Sequence, residues 1–541
     1  MLFNSYVFMF AFLPAAWAAH ALARRFLPGG ANAVLALASL AFYGWWDLRF
    51  LPLLLGSVAV NFLVGRALGA AAAEGREGAA RAWLTAGVAA NLAALGFFKY
   101  VDFFLGNLAA ATGAGFEPIG VILPIGISFF TFQQIAYLVD VREGKSDRYA
   151  PADYALFVSF FPQLIAGPIV HHREMMPQFA RGLGPRAEDI ALGLTIFIAG
   201  LFKKVVLADN LAPFASPVFA AADAGAQVSS FEAWGAALAY TFQIYFDFSG
   251  YSDMAIGLAR LFGVRLPINF HSPYKAGSII EFWRRWHMTL SRFLRDYLYI
   301  RLGGNRRGPL RRHVNLMATM LLGGLWHGAG WGFVIWGALH GLYLVINHVA
   351  RAAAARVGLA RPEPRGRGGA SPGGDPGGGG GLRIGWARAA GWALTFLAVV
   401  FAWVFFRATT LGGALEIAGA MLGIGGLSLP ADFADEIGRA PERLGLVYAH
   451  AAHVPLRDWA LAGAPMIAAA AALALLAPNT NQVFLSGDPA YREGYGGAVE
   501  PPRWRALIWR PGVPQAGAAL AAFAAALLYA STISEFLYFQ F

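Results

Sequence analysis

Residues 314–350 read VNLMATMLLGGLWHGAGWGFVIWGALHGLYLVINHVA. The stretch carries no Lys, Arg, Asp or Glu. A helix crosses the hydrocarbon core of a bilayer in about 20 apolar residues, so this run is too long for one crossing. The Gly-rich run Gly328-Ala329-Gly330-Trp331-Gly332 is expected to break it into two helices. Broken backbone at membrane depth is tolerated only where protein or a water-filled cavity surrounds it. His327 stands at that break, in Trp326-His327-Gly328. A bilayer is an expensive place for an imidazole, so such a residue is a functional hypothesis by default. His327 is therefore expected to face a cavity.

The rest of the chain agrees. Of 541 residues, 57% are hydrophobic and 13% charged, with mean hydropathy +0.52. Soluble domains carry roughly 25% charged residues. The class is an all-α polytopic membrane protein, because the apolar runs do not alternate as barrel strands would. Candidate spans lie near 5–23, 31–46, 50–65, 83–100, 119–139, 190–202, 230–248, 314–349 (two helices), 389–406, 460–477 and 516–533. The segment 152–180, with Pro162, Gly167 and Pro168, is expected to be re-entrant. No internal repeat is visible.

The net charge of +11 and pI near 9.9 fit basic cytoplasmic loops better than nucleic-acid binding, and no nucleic-acid partner is expected. Arg24-Arg25, the loop 66–82 and the loop 140–150 are basic, whereas 105–118 has no Lys or Arg. That alternation puts the N-terminus outside, ahead of an uncleaved first span. Residues 361–385, with Gly377 to Gly381 unbroken, are expected to form a flexible linker inside one membrane-embedded domain spanning 1–541. Between Lys275 and Arg312, ten Lys or Arg alternate with Trp283, Trp286, Phe293, Tyr297 and Tyr299. This pattern predicts one or two helices on the cytoplasmic membrane surface, against lipid.

There is no cysteine. Thiolate nucleophiles, disulfides and Cys-based metal sites are excluded. Chemistry falls to His, carboxylates or hydroxyls. A buried His327 stays neutral and can act as general base toward a hydroxyl; its bland alternative is a structural hydrogen bond between helices. His287 follows Arg284-Arg285-Trp286 and is a second candidate, either for proton transfer or as donor to a developing oxyanion. No third ligand accompanies the two histidines at motif spacing, so no metal is expected. Trp326 and Trp331 are expected to line the cavity. Arg284 and Arg285 are placed to meet an anionic donor through bidentate contacts, although lipid phosphates would attract them equally. Asp247 and Asp253 stand about 240° apart on a helix and do not pair; polar anchoring of that helix is their bland role. With Asn269 they complete the candidate substrate-binding set, and His271 and His171-His172 carry less signal.

The strings YFDFSGYSDMAIGLARLFGVRLPINFHSPY (245–274), EFWRRWHMTLSRFLRDYLYIRLGGNRRG (281–308) and LLGGLWHGAGWGFVIWGALHG (321–341) resemble the membrane-bound O-acyltransferase family. Within it the chain is most similar to bacterial members that acetylate polysaccharides such as alginate. The strings 123–144 and 161–179 and Pro478-Asn479-Thr480 fit the same group. The resemblance covers residues 1–350 well and the remainder loosely. It implies a ring of about 11–13 tilted and re-entrant helices around a tunnel, in a bacterial inner membrane. It puts the family's catalytic His on His327 and its second His on His287. It also implies acetyl-CoA as donor, a periplasmic acetyltransferase partner and a polysaccharide acceptor, with cellulose or peptidoglycan as alternatives to alginate.

Two non-enzymatic readings compete: a polysaccharide exporter and a scaffold for an envelope complex. An exporter would spread polar residues over several spans and often show inverted repeats. Here they concentrate in 245–341, as a single site requires. A scaffold needs no buried His beside a Gly break.

Overall fold

In the computed structural model the described residues are 1–356 and 382–530, apart from 28, 147–148, 183, 439, 489–490 and 492–498, together with 536–537. Their regular secondary structure is almost wholly helical. The strands among them are two residues each, Ser428–Leu429 and Val447–Tyr448, paired in parallel. Six helical stretches are long and apolar enough to cross a membrane: Leu48–Ala73, Glu77–Thr112, Ala187–Asp223, Trp331–Arg356, Gly385–Arg407 and Leu456–Leu475. Ala31–Gly44, Leu411–Met421 and Val513–Tyr529 are shorter apolar helices. The protein is a multi-pass, all-α membrane protein.

The chain folds as two compact units, the first formed by 1–201, 251–267 and 510–540, the second by 202–250 and 268–509. In the first, Leu51–Ala73 packs on Glu77–Leu95, and both pack on Ile127–Arg142. Asn61 and Asn91 donate to each other's carboxamide oxygens at 3.2 and 2.6 Å. Such interhelical bonds in membranes contribute about 0.6 kcal/mol on average. The expected span 119–139 is corrected: residues 114–124 are not helical, and the helix starts only at Ile127. Pro118 and Pro124 lack the N–H a helix needs, and Gly120 and Gly126 sit at φ +69° and +75°. Residues 152–180 form the short helices Pro151–Ser159, Phe161–Leu164 and His172–Ala180. His172 is held there, with Nε2 3.0 Å from Asp140 and Nδ1 3.0 Å from the Tyr149 hydroxyl.

In the second unit, Gly308–His327 and Trp331–Arg356 form a helical hairpin, broken where the glycine run predicts. A Cβ on Gly324 would run into the Phe333 carbonyl, and one on Gly337 into the Met320 carbonyl. Glycine at both positions lets the two helices touch backbone to backbone, the small-residue packing that membranes favour. Leu382–Arg407 packs along Trp331–Arg356.

Two spans run longer than expected. The span near 230–248 is a longer helix, Ser230–Leu261, and 190–202 continues to Asp223 through a π-turn at Lys203–Ala208. Of the expected linker, 361–381 lies outside the described residues, and 382–385 already belongs to Leu382–Arg407. The segment 275–312 is not wholly a surface layer: 305–311 is exposed, but the part before it turns inward. Phe282, Trp286, His287 and Phe293 are buried, while Arg284 and Arg295 are exposed. Its aromatic face packs inside the protein, against Tyr274 and Trp403 among others, rather than on lipid.

Candidate active site

Two backbone features bring the histidines together. His327 is the last residue of Gly308–His327. His287 lies in the left-handed region (φ 42°) between the short helices Ile279–Arg285 and Met288–Phe293. That conformation costs a non-glycine residue roughly 1–2 kcal/mol. Such outliers persist only where surrounding structure enforces them, and they cluster at functional sites.

The enforcing residue is Asn269. Its Oδ1 accepts from the Thr289 backbone N–H at 3.3 Å and from the Thr289 hydroxyl at 2.9 Å, and lies 3.0 Å from His287 Nδ1. Its backbone carbonyl accepts from the Met288 N–H at 2.9 Å. Because a backbone N–H can only donate, the carboxamide atom facing it is oxygen. The proton therefore sits on His287 Nδ1, and Nε2 carries the lone pair. Full burial pushes the His287 pKa down to about 3. At neutral pH the ring is an uncharged base.

The loop that carries Asn269 is braced in turn. Asn479 caps Thr480–Phe484 and donates to Ser272 Oγ at 2.8 Å, and Asn481 donates to the Phe270 carbonyl. The Pro478-Asn479-Thr480 string thus acts at a distance in sequence on the residue that orients His287.

The His287 and His327 rings stand 6.4 Å apart, centroid to centroid. Around His327 lie Trp326 at 5.0 Å, Trp336 at 5.1 Å and Phe406 at 5.2 Å, all near edge-to-face. Phe248 stands edge-to-face on His287 at 4.8 Å. Both histidines are buried. A proton acquired by His327 would meet the negative end of a 20-residue helix, which favours an imidazolium formed there during reaction.

The predicted residues divide. His327, His287, Trp326 and Asn269 share one place. Trp331 is 53% exposed, and the enclosing indole that sequence reading missed is Trp336, 1% exposed. Asp247 pairs instead with Lys204 at 2.7 Å, both side chains 2% exposed, and Lys204 also pairs with Asp209 at 2.8 Å. Asp253 is buried within the first unit. Arg285 is engaged with Glu281 at 2.6 Å, whereas Arg284 is exposed. Among the described residues no group of three His, Cys, Asp or Glu could hold a metal ion.

Residues 127–366 match the membrane-bound O-acyltransferase family. A peptidoglycan O-acetyltransferase of Helicobacter pylori is 45% identical, over 79% of this chain and 81% of its own. A probable alginate O-acetylase AlgI of Pseudomonas aeruginosa is 39% identical over the whole of both chains. A teichoic acid D-alanyltransferase of Streptococcus thermophilus is 30% identical, over 41% of this chain and 56% of its own. The chain belongs to the membrane-bound O-acyltransferase family, and the exporter and scaffold readings give way to an acyltransferase.

Proposed function

We propose that the chain moves an acetyl group from acetyl-CoA to a hydroxyl on the route to an envelope polysaccharide, in the inner membrane of a bacterium. Two relatives similar along most of their length are named for acetylating peptidoglycan and alginate, which supports both the acetyl group and the polymer class. A periplasmic acetyltransferase that carries the group onward is part of the proposal. So is a helix-lined tunnel through which donor and acceptor meet.

The observation that supports the mechanism is the pair of buried imidazoles 6.4 Å apart, one with its tautomer fixed. His327 takes the proton of the attacking hydroxyl as the oxygen bonds to the thioester carbonyl carbon. The tetrahedral intermediate then expels the thiolate, which collects the proton, and an ester remains. The helix end favours the transient imidazolium. His287, with the lone pair on Nε2, accepts a hydrogen bond and so orients the incoming hydroxyl. While neutral it cannot donate to the oxyanion. The indole N–H of Trp336, buried without an acceptor among the described residues, is the better donor for that charge. Trp326 forms part of the enclosing wall, and Arg284 offers the donor's phosphates an unshielded guanidinium.

Proteoliposomes loaded with the purified chain and given acetyl-labelled CoA test the proposal. Label should pass to a hydroxyl acceptor or partner protein. Retention of all label on CoA, with each candidate acceptor present in turn, would refute it.

A further inference from the structure

The first unit contains a cavity of about 440 Å³. Its wall includes His20, Arg24, Asn32, Asp153, Gln178 and Arg181. Much of that polar wall is already committed. Asn32 donates to Asp153 at 2.8 Å and to the Phe179 carbonyl at 3.1 Å. Gln178 donates to the carbonyls of Glu174 and Arg265 and accepts from the Arg265 N–H. The cavity is held open by fixed struts. What remains uncommitted is charge: Arg24 and Arg181 both reach it, both are exposed, and neither forms an ion pair among the described residues. Asp153, half-buried and bonded to Asn32, offsets one of the two.

The surroundings say what anion fits. Leu27 lines the cavity and is 54% exposed, so it forms part of the rim. Leu22 and Phe26 on Leu13–Phe26 and Leu37 on Ala31–Gly44 are exposed large apolar side chains on the two helices that flank it. A ligand that places a phosphate between two guanidinium groups and hydrocarbon along these side chains is an anionic phospholipid. Basic pockets between membrane helices bind such head groups, and arginine grips phosphate through two parallel N–H donors.

We propose that this cavity holds the phosphate head group of an anionic phospholipid, with its acyl chains along the exposed face of Leu13–Phe26 and Ala31–Gly44. The lipid is a bound structural or regulatory ligand, independent of the acetyl-transfer chemistry.

The full chain, purified in nonionic detergent, is titrated with phosphatidylglycerol and followed by native mass spectrometry. Phosphatidylcholine and inorganic phosphate serve as comparison probes. Arg24→Ala and Arg181→Ala should each weaken phosphatidylglycerol binding about 5-fold, and the pair about 25-fold, as expected for one surface-proximal cation each. Arg25→Ala, which removes an exposed arginine outside the cavity, should leave binding unchanged. Should Arg24→Ala fail to insert, Arg181→Ala, beyond the end of its helix, carries the test alone. The proposal is overturned if the arginine variants bind phosphatidylglycerol like the wild type. It is equally overturned if phosphatidylcholine binds as tightly, or if inorganic phosphate displaces the lipid, which would mark a free-phosphate site.

Discussion

Asn269 Oδ1 lies 3.0 Å from His287 Nδ1 while accepting from the Thr289 backbone N–H, and this fixes which nitrogen of His287 bears the lone pair. Groups that orient a functional imidazole typically matter 10–100-fold. Asn269→Ala should therefore lower kcat by about that factor at normal expression. Asn269→Asp, which keeps an oxygen acceptor, should retain more activity than Asn269→Ala. Equal loss in both variants would mean that Asn269 acts on loop structure rather than on the tautomer.

Lys204 and Asp247 are a buried ion pair. Removing one member strands the other, at about 3–5 kcal/mol, whereas replacing both with apolar residues is often neutral. Lys204→Met should lower the thermal midpoint sharply, and Lys204→Met with Asp247→Leu should recover most of it, because the remaining partner, Asp209, is partly exposed. No recovery in the double variant would show a role beyond mutual neutralisation.

These charges also explain where sequence reading stopped. Lys203, Lys204 and Asp209 interrupt the apolar run that begins near residue 190, so the span seemed to end at 202 although the helix continues to Asp223. The pairing partner, Asp247, lies 43 positions from Lys204, and no local pattern announces it. Conversely, the hairpin break at 328–330 was legible because glycine acts locally, and so were His327, His287 and Trp326. The basic-aromatic pattern of 275–312 describes an amphipathic helix but does not say whether its aromatic face meets lipid or protein; here it meets protein. Trp336 was missed because its nine-residue separation from His327 acquires meaning only once the hairpin folds back.

The two helices of that hairpin touch at Gly324 and Gly337. Gly337→Leu forces a side chain against the Met320 backbone, and overpacking of this kind costs typically 1–3 kcal/mol. The variant should unfold at lower temperature and lose activity by shifting His327. An unchanged midpoint together with full activity would show that the hairpin tolerates separation.

Arg284 and Arg285 should separate kinetically. Arg285 is partly screened by Glu281, in a half-exposed pair of the sort that contributes under about 1 kcal/mol. Arg284→Lys should raise the donor KM with little change in kcat, and Arg285→Lys should do so less. Unchanged KM in both, with normal insertion, would assign these arginines to lipid phosphates instead.

His327 as base and His287 as its orienting partner make different demands on two single variants. The most direct measurement is acetyl transfer by His327→Ala and His287→Ala at matched protein levels in proteoliposomes. General-base catalysis contributes about 10²–10⁴-fold, so His327→Ala should fall by at least the lower figure while remaining folded. His287→Ala should keep measurable turnover. Wild-type-like transfer by His327→Ala, or loss confined to His287→Ala, would contradict the account.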